Sequence, residues 1–337
     1  MKKAAKILIS VVLTVTLCYL VWRSLDLKAL VKVLKDIDGF WLTDAIAVFM
    51  SYQVLRAFRF KLLINANAKA VPSLISTMCW HGFFNNVLPL GLGESSLVLL
   101  LRGLHHVPLT SGVALLLTVR VLDLAIFVIL FLAIAVFWIQ LIPSQFILVM
   151  VGVLAALAIL VGIGLYLVGY GGVHFQTSTS TLRGRIHDLA KRFRTAIQEV
   201  KQKRIWLPLI LYSTAMWAAM YFFMFCTIYA LNYHLSFFVV LMLYLLVFPV
   251  NLLPIKGVGN FGTHEAAWYI SLQIMGVQST DAAILGYGSH LIYLSIILLS
   301  AVLGSILYLS TKGLMAPSNG TAGDPDNVSV SKGITSS

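Results

Sequence analysis

The chain contains six apolar runs typical of membrane-spanning helices, and this feature constrains its fold more than any other. A helix that crosses a bilayer needs about 20 mostly apolar residues. The runs cover Ile7–Trp22, Trp41–Ile64, Leu109–Ile139, Phe146–Gly169, Trp206–Leu231 and Ala282–Tyr308. Because lipid cannot satisfy backbone N–H and C=O groups, such runs must be helical. We therefore predict an all-α polytopic membrane protein with about six full spans.

The charge distribution predicts how the chain is oriented. Of 337 residues, 60% are hydrophobic and 11% are charged, and the net charge is +12. Half of that excess, +6, lies in the connector 171–204, where eight Lys/Arg stand against Asp188 and Glu199. Cytoplasmic loops carry such an excess, so we favour this placement over nucleic-acid binding. Residues 181–204 have apolar positions at helical spacing, and we expect this basic helix to lie on the anionic cytoplasmic leaflet. Both termini are then cytoplasmic.

Two further apolar regions, near 72–101 and 235–276, are interrupted by Pro, Gly and polar residues. The first includes "NNVLPLGLGE" and the second "NLLPIKGVGNFGTHEAAW". Each region is long enough for two half-spans joined by a break. Irregular backbone at membrane depth is tolerated only where protein or a watery cavity satisfies it. We therefore predict that both regions are re-entrant broken-helix hairpins.

These two regions share one order of features. Each contains Asn-x-Leu-Pro, then glycines, then a glutamate, and a buried basic residue follows in the next span. Arg120 comes 26 residues after Glu94, and His290 comes 25 residues after Glu265. By the orientation above, the two regions enter from opposite faces, as in the inverted repeats of many transporters. We predict repeat one over about 40–140 and repeat two over about 205–311.

Ionisable residues within the predicted membrane region mark the candidate site. A charge there costs about 2.5–3.5 kcal/mol on insertion scales, so such residues face partners or water. With the residues of the breaks, they form one predicted substrate-binding and translocation set: Arg56, Arg59, Asn86, Pro89, Glu94, Arg120, Asp123, Asn251, Pro254, Gly259, Glu265 and His290. Counting Arg102 and Lys256 at the margins, five Lys/Arg stand against three Asp/Glu, which suits a phosphate-bearing headgroup. The alternative is that these charges form ion pairs that only hold the bundle together. Arg120 and Asp123 are three residues apart and share a helix face, a spacing that allows them to pair locally.

The pair His264-Glu265 resembles the start of the zinc-protease motif H-E-x-x-H. That motif needs a second histidine four residues after the first, on the same helix face, and Trp268 stands there. "GLGESSL" likewise does not fit the G-x-S-x-G motif of hydrolases. We therefore predict no catalytic residue, no metal and no cofactor. Glu265 is interpreted as a buried carboxylate whose basic counterpart is His290.

Four segments resemble hallmarks of one family, the lysylphosphatidylglycerol synthase transmembrane region, a group of flippase-like membrane proteins. They are "LRAFRFKLLI", "NNVLPLGLGE", "VRVLDL" and "LPIKGVGNFGTHEAAW…MGV", in the family's order. The resemblance extends from about Ile7 to Lys312. It implies a bacterial or archaeal cell-membrane protein that moves or handles charged lipids. The chain departs from the family pattern at His290, where arginine is frequent, and at Val119, where an acidic residue is frequent.

The leading hypothesis is a lipid translocase within one membrane domain, residues 1–312, followed by a disordered tail, residues 313–337. Its substrate would be an anionic or aminoacylated phospholipid, or a polyprenyl-phosphate-linked lipid, with the headgroup in a mid-membrane chamber. The alternatives are a membrane-embedded lipid-modifying enzyme and a non-transporting accessory to lipid synthesis. The resemblance implies that some relatives carry a soluble aminoacyl-transferase domain after the membrane part. We expect none in this chain, where only a short tail follows the membrane part, so an enzyme is the less favoured class. Expected protein partners are a second copy of the chain or a separate lipid-modifying enzyme.

Overall fold

The structure is a computed structural model that describes residues 15–88, 92–138, 151–152, 205–252 and 258–315. Within these ranges the chain is helical and contains no β-strand. Residues 15–22 are helical. The helices that follow are α1 (Leu27–Lys35), α2 (Gly39–Leu63), α3 (Val71–Val87), α4 (Leu92–His105), α5 (Leu109–Trp138), α6 (Trp206–Ala230), α7 (Phe237–Leu252), α8 (Thr263–Ile274) and α9 (Ser279–Met315). The predicted all-α fold is therefore confirmed.

The first helix boundaries follow from capping aspartates. Asp26 precedes α1, and its Oδ1 accepts hydrogen bonds from the N–H groups of Lys28 and Ala29. Asp38 does the same for Phe40 and Trp41 at the start of α2. A carboxylate at this position satisfies N–H groups that have no partner inside the helix, and it suits the positive end of the helix dipole.

Three helical stretches are long and apolar enough to cross a membrane: Leu109–Ala133, Trp206–Ala230 and Ser279–Thr311. They fall on three of the predicted spans. The predicted span Trp41–Ile64 lies on α2, which has 25 residues but carries charged residues in its C-terminal half. The predicted spans Ile7–Trp22 and Phe146–Gly169 fall largely outside the described residues, as do the connector 171–204 and most of the tail. The number of spans therefore stays a prediction.

Each of the two interrupted regions forms a pair of helices. The first is divided into α3, which ends at Val87, and α4, which begins at Leu92. The second is divided into α7 and α8, with a 3-10 turn, Val258–Asn260, just before α8. Gly259 has φ +62° and Gly262 has φ +80°, so this turn uses backbone conformations that glycine adopts readily. The helices of each pair pack on one another. Their re-entrant course and inverted relationship stay predictions.

The helices assemble around two long contacts. Helix α2 packs along α6, and α3 packs along α9. At the second contact the helices approach closely, since a Cβ atom on Gly304 would lie 2.7 Å from Cys79 Cβ. The short helices α4 and α8 pack against α5 and α9 respectively, the helices that follow them in the chain. This arrangement brings the first turns of α4 and α8 next to long helices that carry basic residues.

Candidate functional site

A cavity of about 170 Å³ lies where α2, α3, α4, α5, α6, α7 and α9 meet. Half of the twelve residues predicted for the site line this cavity. They are Arg56, Arg59, Asn86, Glu94, Arg120 and Asp123. All six come from the first predicted repeat. We call this space the arginine chamber.

Arg56 supplies the chamber with a guanidinium that faces neutral groups. Its Nη1 donates to Gln53 Oε1 at 2.9 Å and to the Met78 carbonyl at 3.3 Å. The guanidinium also lies 5.4 Å from the centre of the Tyr52 ring. The residue is only 8% exposed, and no carboxylate of the described chain lies within ion-pair distance of it. A buried cation without a counter-charge is costly, so Arg56 is suited to receive an anion.

Arg59 lies one turn further along α2 and is neutralised. Its Nη1 donates to Asp123 Oδ1 at 2.5 Å and to Ser213 Oγ at 3.2 Å. Both charged side chains are largely shielded from solvent. This ion pair joins α2 to α5, which are 64 residues apart at the point of contact.

Arg120 and Asp123 do not form the local pair that their spacing allows. Arg120 Nη2 donates instead to Glu94 Oε1, on α4, while Asp123 faces Arg59. Arg120 is paired with α4 and Asp123 with α2. Each therefore finds its opposite charge on another helix.

The Glu94–Arg120 ion pair is partly open, with side-chain exposures of 27% for Glu94 and 35% for Arg120. Glu94 is the third residue of α4, where the helix dipole and the free N–H groups favour a carboxylate. Together with the Arg59–Asp123 pair and Arg56, it gives the chamber three guanidinium groups and two carboxylates. Three minus two leaves one positive charge in excess.

The second glutamate, Glu265, lies away from the chamber wall in a fully buried cluster. Glu265 Oε1 is 2.6 Å from His290 Nδ1, and both side chains have 0% exposure. The other carboxylate oxygen, Oε2, accepts a hydrogen bond from the Gly262 N–H at 2.7 Å. Glu265 is thus the third residue of α8 and closes its N-terminus, as a capping-box glutamate does.

Two aromatic neighbours enclose His290. The His264 ring stacks on it with centroids 4.4 Å apart and an interplanar angle of 16°. The Phe261 ring lies 4.6 Å away on a tilted plane. His264 itself bonds through Nε2 with Ser289 Oγ at 3.3 Å.

The other predicted site residues fall elsewhere. Pro89 and Pro254 lie outside the described residues, and Asn251 is described only as part of the backbone of α7. Gly259 forms the turn before α8 and is not among the residues that line the chamber. No group of three His, Cys, Asp or Glu side chains within the described ranges is placed to hold a metal ion.

Several chamber residues are neutral and were not predicted. Gln53 holds Arg56, and Tyr293 accepts a hydrogen bond through its hydroxyl from Asn86 Nδ2 at 3.3 Å. Gln53 stands three residues before Arg56 and Tyr293 three after His290. Helical spacing from a buried charge is the signal that could have identified both.

A smaller cavity of about 70 Å³ adjoins the chamber. The two share wall residues, among them Tyr244, Phe248 and Tyr293. Its remaining wall includes His264, Ser289 and Trp268, whose indole N–H is buried and has no hydrogen-bond partner in the described chain. The smaller cavity therefore reaches from the arginine chamber to His264, which stacks on His290.

Apolar helices of membrane length that surround a cavity lined by ion pairs define a multi-pass helical membrane protein. The chain belongs to the family described as lysylphosphatidylglycerol synthase TM region, whose model matches residues 5–301. The resemblance carried by the four sequence motifs is therefore confirmed. In the same comparisons, no curated protein and no solved structure matched the chain. Membership of this family places the protein among membrane proteins that handle lipids and associate with membrane phospholipids.

Proposed function

We propose that the protein is a lipid translocase and that the arginine chamber receives the phosphate of an anionic headgroup. One observation carries the proposal. Arg56 is a cavity-lining guanidinium that the described residues leave without a carboxylate partner. A guanidinium presents its N–H groups in a planar fork that matches the oxygens of a phosphate.

The excess positive charge of the chamber supports the same assignment. With Arg59 held by Asp123, one phosphodiester charge at Arg56 brings the chamber to neutrality. Neutrality matters here, because an uncompensated charge at membrane depth is costly. The acyl chains of the lipid remain in the bilayer while the headgroup occupies the chamber.

The Glu94–Arg120 pair supplies a place where the headgroup can compete for a guanidinium. This pair is partly open, whereas the Arg59–Asp123 pair is buried. A phosphate entering from Arg56 can share Arg120 with Glu94 and release it again. A site that binds through an exchangeable ion pair holds its ligand without trapping it, as transport requires.

The predicted inverted repeat extends the proposed mechanism to the second half of the chain. Glu94 and Glu265 are both the third residue of a short helix, and each pairs with a basic residue on the following helix. In repeat transporters the two halves exchange open and closed states around one site. We propose that the protein lies in the cell membrane with both termini and the basic helix 181–204 on the cytoplasmic side.

A transport assay with purified protein tests the function. Proteoliposomes contain phosphatidylglycerol labelled on an acyl chain with a dithionite-quenchable fluorophore, and the quenchable fraction reports movement between leaflets. We expect wild-type protein to move the lipid and Arg56→Gln to slow the movement at least about tenfold, since one charge-assisted contact is worth about 1.5–3 kcal/mol. Arg56→Lys should fall between the two, because lysine keeps the charge but not the fork.

Lys69→Gln is the matched control, because it removes one positive charge from an exposed position on the 3-10 turn Ala68–Ala70. It should leave the movement unchanged. Equal rates for Arg56→Gln and wild type would overturn the role of the chamber. A wild-type protein that moves no lipid but converts it to a new product with a nucleotide-sugar or aminoacyl donor, detected by mass spectrometry, would establish an enzyme instead.

A further inference from the structure

The Glu265–His290 cluster is the part of the molecule that the proposed lipid site does not use. Both oxygens of Glu265 are hydrogen-bonded: Oε2 accepts from the Gly262 N–H, and Oε1 lies 2.6 Å from His290 Nδ1. An ionised carboxylate can accept a backbone N–H bond at one oxygen and an imidazole N–H bond at the other. With Glu265 ionised, His290 Nδ1 carries the hydrogen of this bond, and Nε2 is the ring nitrogen left to take up a further proton.

His290 Nε2 is fully buried and has no hydrogen-bond partner in the described chain. When Nε2 is bare, the cluster holds a lone negative charge on Glu265. When Nε2 takes up a proton, imidazolium and carboxylate cancel. The Phe261 ring, 4.6 Å from the His290 ring, offers its π-electrons to an imidazolium.

The geometry of the cluster favours one added proton on its two histidines over two. His264 stacks on His290 at 4.4 Å, so two imidazolium rings would repel each other at short range in a medium of low dielectric. The other titratable groups that face the cluster are Cys18, on the helical residues 15–22, and Tyr287, on α9. No Lys or Arg of the described chain forms an ion pair with Glu265.

The cluster communicates with the arginine chamber through α9. Tyr293 follows His290 by one helical turn, lines both cavities and accepts the hydrogen bond from Asn86 in the chamber wall. On the other side, the Tyr293 ring stacks on His264 with centroids 6.2 Å apart. Arg56 and Tyr293 line the same cavity. Tyr293 therefore connects the rings of the cluster to the headgroup site within one turn of helix.

We propose that Glu265 and His290 form a proton-binding site whose occupancy is coupled to lipid movement through the arginine chamber. One proton from the compartment facing the open side adds to His290 Nε2, and the same proton leaves to the other compartment after the two halves exchange states. No other bond is made or broken. This inference rests on the proposed function, which supplies the lipid whose movement the proton drives.

The first experiment measures transport under an imposed pH gradient, with the same labelled phosphatidylglycerol. For one proton per lipid, a gradient of one pH unit should change the final leaflet ratio by up to about tenfold. Glu265→Gln and His290→Asn are near-isosteric and should abolish this response. Asparagine keeps an N–H group near the Nδ1 position but has no basic nitrogen. His106→Asn, at an exposed histidine outside the cluster, is the control and should respond as wild type does.

The second experiment is a titration that needs no lipid. Nuclear magnetic resonance of protein labelled with ¹⁵N-histidine should show Nε2 of His290 changing protonation, and the signal should change in Glu265→Gln. Gradient-independent transport by wild-type protein, together with a His290 that never titrates, would overturn the proton site while transport itself stands. A wild-type protein that moves no lipid at any gradient contradicts the proposed function, whereas a His290 titration that depends on Glu265 still supports the site.

Discussion

His290 Nδ1 lies 2.6 Å from Glu265 Oε1 across 25 residues of sequence, and neither side chain is exposed. The counterpart in the first half of the chain is Arg120 with Glu94, 26 residues apart, and that pair is about one-third exposed. The two pairs have nearly the same spacing and the same position on their short helices. The Glu94–Arg120 pair lines the arginine chamber, whereas the Glu265–His290 pair does not. For this reason we assign the first pair to the headgroup and the second to the proton.

The difference in burial predicts different coupling energies. When His290 is protonated the Glu265–His290 pair is a buried ion pair, and removing one partner of such a pair costs about 3–5 kcal/mol, because the other charge stays buried. A partly exposed pair contributes only about 0.2–1 kcal/mol. We therefore expect a double-mutant cycle with Glu265→Ala and His290→Ala to give a much larger coupling in the free energy of unfolding than a cycle with Glu94→Ala and Arg120→Ala.

Both cycles are measured by denaturant unfolding in the same detergent, so that the reference state is shared. Each cycle is the control for the other, since both remove a carboxylate and a basic group at equivalent positions. Equal coupling energies would show that the Glu265–His290 cluster is as accessible to water as the chamber.

Arg59 and Asp123 are predicted to stabilise the fold rather than to bind lipid. Arg59 is 2% exposed, so Asp123→Asn leaves a buried guanidinium without its counter-charge. The melting temperature should fall sharply, by the equivalent of about 3–5 kcal/mol. The double variant Arg59→Met with Asp123→Leu should recover much of this loss, because apolar replacement of a buried pair is often neutral.

Differential scanning fluorimetry of the single and double variants provides the measurement. A single variant that melts like wild type would place Arg59 in contact with water or lipid. In that case Arg59, as well as Arg56, would be available to a headgroup.

The sequence predicted the places where the helices break and the residues that carry charge. Gly259 and Gly262 adopt positive φ in the predicted second break, and Glu265 follows at the start of α8. These features are local, because glycine conformation and capping are decided within a few residues. The buried charges were also visible, since ionisable residues in apolar runs are rare and costly.

The pairing of those charges could not be predicted from spacing. Asp123 meets Arg59 from 64 residues away on another helix, whereas local spacing favoured Arg120. The difference in burial between Glu94 and Glu265 could not be predicted from the sequence either. Their motifs match, but the rings of Phe261 and His264 pack against His290, whose side chain has 0% exposure.

The burial of His105 predicts that the folded protein loses stability in acid. It lies at the end of α4, outside the three apolar helices of membrane length, and its Nε2 is 2.9 Å from Thr77 Oγ1. Burial, helped by the neighbouring charge of His106, lowers the pKa of His105 to about 4 from the usual 6.5. Between these values the unfolded chain binds more protons, so the free energy of unfolding decreases as the pH falls from about 6.5 to about 4.

His105→Gln should reduce this acid sensitivity, because glutamine can still bond to Thr77 but does not titrate. The melting temperature of wild type and variant is measured at a neutral and a mildly acidic pH. We expect the drop between the two to be smaller in the variant. An identical drop would mean that His105 is solvated in the folded protein.

The last prediction concerns two glycines of α4, Gly93 and Gly103, and the contact between α3 and α4. A Cβ atom on Gly93 would lie against the backbone at Asn85 and 2.7 Å from the Phe84 carbonyl oxygen, whereas a Cβ atom on Gly103 would meet nothing within 4 Å. Gly93→Ala should therefore push α4 away from α3, at a cost of about 1–3 kcal/mol for overpacking. Gly103→Ala should be neutral or stabilising by up to about 1 kcal/mol, since alanine favours the helix.

Because Glu94 follows Gly93 directly, the same shift of α4 should move the Glu94 carboxylate away from Arg120 and slow lipid movement in Gly93→Ala alone. Similar melting temperatures and transport rates for both variants would show that the two helices do not approach as closely as this geometry requires.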